Sequence, residues 1–124
     1  MEEKPKKLLI LLTTGPDTPI QIRSALMFAS IGAAMGCDTT LYCAANGADA
    51  MLKTTVEKDK APTGRPTIKT RLEEATKAGV KVQVCEAAVV AKGIKQEDLV
   101  DQAEIAGAAV LIDLALDSDA VLCF

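Results

Sequence analysis

Leu8-Leu9-Ile10-Leu11-Leu12 is a run of five large aliphatic side chains with no polar residue among them. A strand with one face in water alternates apolar and polar residues. An unbroken run between Lys7 and Thr13-Thr14-Gly15-Pro16 is therefore the pattern of a strand buried on both faces, typical of a parallel sheet covered by helices.

The rest of the chain agrees with such a sheet. Thr14 to Pro19 reads as a turn, with Asp17 or Thr18 as helix cap and Pro19 at the first helical position. A helix is expected from Pro19 to Met35, stopping at Gly36. Ile22, Ala25, Leu26, Ala29 and Ala33 share one face, whereas Phe28, Ile31 and Met35 lie largely elsewhere. Arg23 is the helix's only charge. A helix at the surface of a monomer carries a charged outer face. This one does not, so its outer side is also expected to be buried, most simply in a subunit interface.

Thr39 to Ala45 reads as a second strand, broken by Asn46-Gly47, and Ala48 to Leu52 as a short helix. The polar stretch Lys53 to Pro66, with two internal breakers in Pro62 and Gly64, reads as a mobile surface loop. Thr67 to Ala78 is amphipathic, with Ile68, Leu72 and Ala75 inward, Glu73 and Lys77 at i,i+4 spacing, and Gly79 as its stop. Val80 to Cys85 is a third strand, followed by a short helix to Lys92 that ends at Gly93. Gln96-Glu97-Asp98 marks a turn and Ala103 to Ile105 a short extended piece. Gly107 to Leu116 reads as helix, and Ala120 to Phe124 as a last buried strand. Strands alternating with helices give an α/β fold with a mainly parallel sheet of about five strands in three α/β/α layers.

At 124 residues the chain is expected to form a single domain spanning 1–124. Apolar residues make up 49% but aromatics only 2%. The core must then rely on Leu, Ile, Val and Ala, whose small contacts bury little area each. That favours a sheet sandwiched by helices and makes self-association a further source of burial. A net charge of −3 and the lack of stacking aromatics argue against nucleic acid as a partner. No apolar run reaches membrane-spanning length and Met1–Lys7 lacks a signal-peptide form, so the expected compartment is the cytoplasm.

Four cysteines, Cys37, Cys43, Cys85 and Cys123, show no C-x-x-C spacing, and there is no histidine. Ser-His-Asp and Cys-His machinery are excluded, a zinc site is disfavoured, and no cofactor or metal is expected. Cys85 is the candidate catalytic residue. It ends a strand where a helix begins, and the unpaired N–H groups of a helix start favour a thiolate. The alternative is a buried cysteine acting as a small hydrophobe. Glu86 would oppose a thiolate if it faced the sulfur, but a first-turn residue is expected to face solvent.

Ligands gather at the carboxyl ends of the strands in such sheets. Thr14-Gly15-Pro16, Ala44-Ala45-Asn46 and Cys85-Glu86 all fall there, which brings Cys85 near the first βα turn. Thr13 to Thr18 has the residues of an anion or phosphate cradle like those of flavodoxin-like mononucleotide sites, although ordinary turn chemistry explains them better and Asp17 already supplies negative charge. Lys53, Lys58, Lys60 and Arg65 are either a solvated loop or a basic approach to Cys85 for an anionic partner. Cys37, Cys123 and Asp113 read as structural or surface residues.

Three stretches together resemble the DsrE/DsrF-like family. They are Leu8-Leu-Ile-Leu-Leu-Thr-Thr-Gly-Pro-Asp17 with its Ala-rich helix, Val80-Lys-Val-Gln-Val-Cys85 followed by Lys92-Gly93-Ile94, and the ending Leu114 to Phe124. The resemblance implies a flavodoxin-like fold, assembly into trimers or hexamers, and carriage of sulfane sulfur as a persulfide on Cys85. Sulfur donor and acceptor proteins, or small sulfur species, would be the partners. No second cysteine follows in the Cys85 helix, so a local disulfide-resolving cycle is not implied. A non-catalytic assembly module of the same fold and a nucleotide- or flavin-binding domain are the competing readings.

Overall fold

In the computed structural model, residues 4–124 are described; Met1, Glu2 and Glu3, which open the segment read for a leader, lie outside them. Five strands, β1 (Lys7–Leu12), β2 (Asp38–Cys43), β3 (Lys81–Cys85), β4 (Ala103–Ala106) and β5 (Ala120–Cys123), form one sheet in the order β4-β3-β2-β1-β5. Every pairing is parallel. Among the described residues five α-helices, α1 (Pro19–Ala34), α2 (Lys53–Lys58), α3 (Ile68–Lys77), α4 (Glu86–Lys92) and α5 (Ala108–Asp117), and two 3-10 helices, Ala45–Met51 and Gln96–Asp98, complete the fold. The expected α/β architecture is the one observed.

The strand order explains how the two faces are covered. From β1 to β4 the chain steps outward in one direction, and right-handed crossovers then put the intervening helices on one face. The return from β4 to β5 passes back over three strands, which puts α5 on the other. The cores follow this division. Ile10, Leu12, Leu41, Cys43, Val82 and Val84 face α1 and α3 and meet Ile22, Leu26, Ile68 and Leu72. Leu9, Tyr42, Cys85 and Ala106 face the other way, against Leu111, Leu114 and Ala115 of α5. One helix of ten residues cannot blanket five strands, so this second face also carries polar side chains, Thr40, Lys81, Gln83 and Glu104, alternating with the buried residues of the first.

The loops leaving β1 and β2 lock together by backbone contact. A Cβ on Gly47 would lie 2.0 Å from the Leu12 carbonyl oxygen, and one on Gly15 would lie 2.8 Å from that of Asn46. Only glycine permits this approach at position 47. Thr18 takes the cap position of α1 without a side-chain cap bond, and Pro19 opens the helix as expected.

Two expectations need correction. Lys53–Pro66 is not one mobile loop. Its first part is α2, anchored by buried Val56, and Asp59 pins the segment beyond that helix. The Asp59 carboxylate accepts bonds from Arg23 Nη1 at 3.1 Å and from the Ile68 backbone N–H at 2.8 Å. Nor is the last strand buried: all four residues of β5 are exposed, and no residue of α5 is fully buried. The apolar composition of these elements is real, but β5 is an edge strand, so its hydrophobicity does not translate into burial within the chain. The outer side of α1 likewise leaves Phe28, Ile31 and Met35 exposed in the single chain.

Candidate functional site

Cys85 is the last residue of β3 and the cap residue of α4, with extended backbone (φ −62°, ψ 122°). This geometry follows from Val80-Lys81-Val82-Gln83-Val84, whose alternation drives a strand, and from the helix-forming Glu86-Ala87-Ala88 that succeeds it. Cys85 pairs with Ala106 of β4 and packs with Tyr42 of β2. It is 8% exposed. Burial pushes its thiol pKa up, but the Ala88 amide, the Tyr42 hydroxyl and the Ala87 amide together pull it below the ordinary value, with Glu86 acting against them. The neutral sulfur makes no side-chain capping bond. The amides therefore act on the charged form, which accepts hydrogen bonds far more strongly than a thiol. Glu86 is exposed, as its place in the first turn predicted.

The other cysteines differ. Cys43 is fully buried on the opposite sheet face, and burial alone pushes its thiol up to about 12. Cys37 is half-buried, and Cys123, expected to be structural within a buried strand, is exposed on the edge strand.

Cys85 does not adjoin the first βα turn. Strand β2 stands between β3 and β1, and Gly15 in that turn packs on Asn46. The basic residues are not gathered around the sulfur either. Lys58 and Lys60 line a cleft with Pro16, Pro19 and Ile68, while Arg65 lines another with Ile20, Arg23 and Arg71. Both clefts lie on the α1–α3 side, whereas Cys85 belongs to the face that α5 covers. Asp113 is exposed on α5.

Tyr42 is the site residue that sequence reasoning passed over. It is fully buried, and its hydroxyl donates to the Gly107 carbonyl at 2.8 Å, with the Ala106 carbonyl at 3.2 Å. Its phenol pKa is raised, first by burial and then by Cys85. The available sign was its singularity. It is the chain's one tyrosine, placed mid-strand where alternation turns it away from Leu41 and Cys43. Beside it, opposite in register and two residues before Cys85, stands Gln83. Its Oε1 is the buried side-chain polar atom without a hydrogen-bond partner among the described residues. At the far end of α4, Lys92 Nζ donates to Asp49 at 3.0 Å and Asn46 at 3.3 Å, holding this helix to the segment after β2.

The sequence model of the DsrE/DsrF-like family matches residues 6–124. The chain belongs to the DsrE/DsrF-like family. An uncharacterised protein of Methanocaldococcus jannaschii is 29% identical over 118 residues, covering 95% of this chain and 99% of its own length. A second from the same organism is 28% identical over 107 residues, covering 86% of this chain but only 38% of its own. Among solved structures, the ychN protein from E. coli superposes with a TM-score of 0.79 at 24% identity, over 96% of this chain and 99% of that one. A protein of unknown function from Methanobacterium thermoautotrophicum gives 0.66 at 12% identity, over 98% and 100%. These structural likenesses establish the fold. No helix among the described residues is long and apolar enough to cross a membrane.

Proposed function

We propose that this DsrE/DsrF-like protein is a cytoplasmic sulfur carrier that holds sulfane sulfur as a persulfide on Cys85 and works as a homo-oligomer. The family is associated with sulfur relay. The observation that carries the reading is the placement of the two thiols: Cys85 ends β3 and caps α4 beside Tyr42, where two amides and a hydroxyl favour its charged form, while Cys43 is fully buried on the other sheet face, where burial pushes its thiol up. The thiolate is the nucleophile in sulfur exchange.

In the transfer, the Cys85 thiolate attacks the terminal sulfur of a donor persulfide. A new S–S bond forms on Cys85 as the donor's own S–S bond breaks; the donor leaves as a thiolate that takes up the proton the terminal sulfur carried, and Cys85 is left as a persulfide anion. No net oxidation occurs. An acceptor thiolate then removes the outer sulfur by the same exchange, regenerating Cys85.

The low exposure of Cys85 favours a second reading, a non-catalytic assembly module in which this cysteine fills space. Intact mass after incubation with a persulfide donor or thiosulfate decides between them. The native chain gains one sulfur and Cys85→Ser gains none. A native chain that gains no sulfur from any donor supports the assembly module instead.

A further inference from the structure

The Tyr42 hydroxyl has one proton for three neighbouring acceptors: it donates to the Gly107 carbonyl at 2.8 Å, the Ala106 carbonyl lies at 3.2 Å, and Cys85, the register partner of Ala106, packs in the same cluster as the tyrosine. Only one can be served well at a time. With Cys85 neutral, the carbonyls are the better acceptors and hold the proton. A sulfur anion reverses that order, because a charged acceptor roughly doubles the strength of the bond. The hydroxyl is fully buried, so water does not compete for it. The sheet makes this juxtaposition rigid: Tyr42 is on β2, Cys85 on β3, and Ala106, opposite Cys85 in register, ends β4.

We propose that Tyr42 is a positioning residue for the sulfur chemistry, its hydroxyl rotating from the Gly107 carbonyl to the Cys85 sulfur whenever that atom carries negative charge. This deepens the sulfur-carrier reading of Cys85 and rests on it. No atom is transferred; an O–H···O=C bond is exchanged for an O–H···S⁻ bond. The same rotation serves the thiolate before loading and the persulfide anion after it, so one group steadies both states of the carrier.

Few other titratable groups face the sulfur. Glu86 of α4 acts against the anion from an exposed position. On β4, Glu104 stands opposite Gln83 rather than Cys85. On β2, Cys43 belongs to the other face. Asp117 of α5 is tied to Lys7, and Asp113 is exposed.

The test is the pH dependence of Cys85 alkylation. Tyr42→Phe keeps the ring and removes the proton donor. The expected result is a midpoint raised by about one pH unit, so that the rate well below the native midpoint falls about tenfold while the high-pH plateau is unchanged. An unmoved midpoint in a folded variant overturns the proposal.

A second measurement does not depend on that variant folding. Because Tyr42 is the single tyrosine, 3-fluorotyrosine incorporation labels this site alone. Its fluorine resonance should titrate with the Cys85 midpoint and stay flat over that range in Cys85→Ser. A resonance indifferent to Cys85 ionisation sinks the coupling. Sulfur loading with an unmoved midpoint removes Tyr42 and leaves the carrier. A moved midpoint without loading by any donor removes the carrier and leaves the Tyr42–Cys85 coupling.

Discussion

Cys43 and Cys85 close neighbouring strands, yet they face opposite layers, and this decides what each sulfur does. With native protein and a limiting alkylating reagent at pH 6.5–7, peptide mapping should find Cys85 modified before the exposed Cys123 and the half-buried Cys37. Cys43 should stay unmodified until the chain unfolds. Labelling of Cys123 first, with Cys85 protected like Cys43, would end the carrier reading. Cys43 also predicts a stability change with a definite sign. Its folded thiol is raised to about 12 from the ordinary 9.0. Between those values the unfolded chain gives up the proton and the folded one keeps it. Stability is therefore lost as pH rises past about 9, by about 1.4 kcal/mol per pH unit from this group until the folded thiol titrates. Cys85 has the opposite sign. Its depressed pKa adds stability as pH rises through the folded value, and that contribution disappears on acidification. Urea midpoints at pH 8 to 11 should fall less steeply for Cys43→Ala than for the native chain. Parallel slopes would show that Cys43 ionises equally in both states.

Among the elements, the segment behind α2 is pinned by a single carboxylate. Asp59 and Arg23 have side-chain exposures of 6% and 15%, so the ion pair stands largely out of water, and Asp59 also holds the start of α3 through the Ile68 N–H. Removing one partner strands a buried charge, at a cost of about 3 kcal/mol, near the low end because Arg23 keeps some solvent contact. Asp59→Ala should lose that much in denaturant melts and become cleavable by trypsin between Lys58 and Arg65. A loss under about 1 kcal/mol with an unchanged cleavage pattern would show that the pair does not hold the segment. This anchor also marks where sequence reading stops. β1, α1, α3 and β3 were legible because periodicity and breakers are local. α2 was not, since Val56 is the lone apolar anchor of a charged stretch and Asp59's partner is 36 residues away. The place of Cys85 at the end of a strand and the start of a helix was legible. Tyr42 was not, because its role depends on β2 lying beside β3, and β3 beside β4, which no local pattern encodes.

For the whole molecule, the unfinished surface lies around β5. The opposite edge, β4, is blunted by exposed Glu104, a common defence against edge pairing. β5 reads Ala-Val-Leu-Cys and carries no charge. In register, Leu122 lies opposite Ile10 and so on the α1 side; Val121 lies opposite Leu9 and so on the α5 side. Exposed apolar residues continue from both faces: Phe28, Ile31 and Met35 along α1, and Ile112 and Leu116 along α5. Phe28 stacks on Phe124 with ring centroids 5.5 Å apart, which ties α1 to the end of β5 and makes one surface of them. An apolar surface bordering an uncharged strand edge marks an interaction site rather than the skin of a monomer. A second copy is the occupant that the proposed homo-oligomer would place there. Sedimentation of the native chain should therefore give a multiple of 13.0 kDa. Val121→Lys places a charge on the edge without touching Cys85 or Tyr42, and it should shift the mass towards a single chain while leaving the alkylation midpoint of Cys85 where it was. A native protein that sediments as one chain at micromolar concentration would remove the oligomer from the proposal. A midpoint that moves together with dissociation would instead show that the neighbouring copy helps to form the environment of the sulfur.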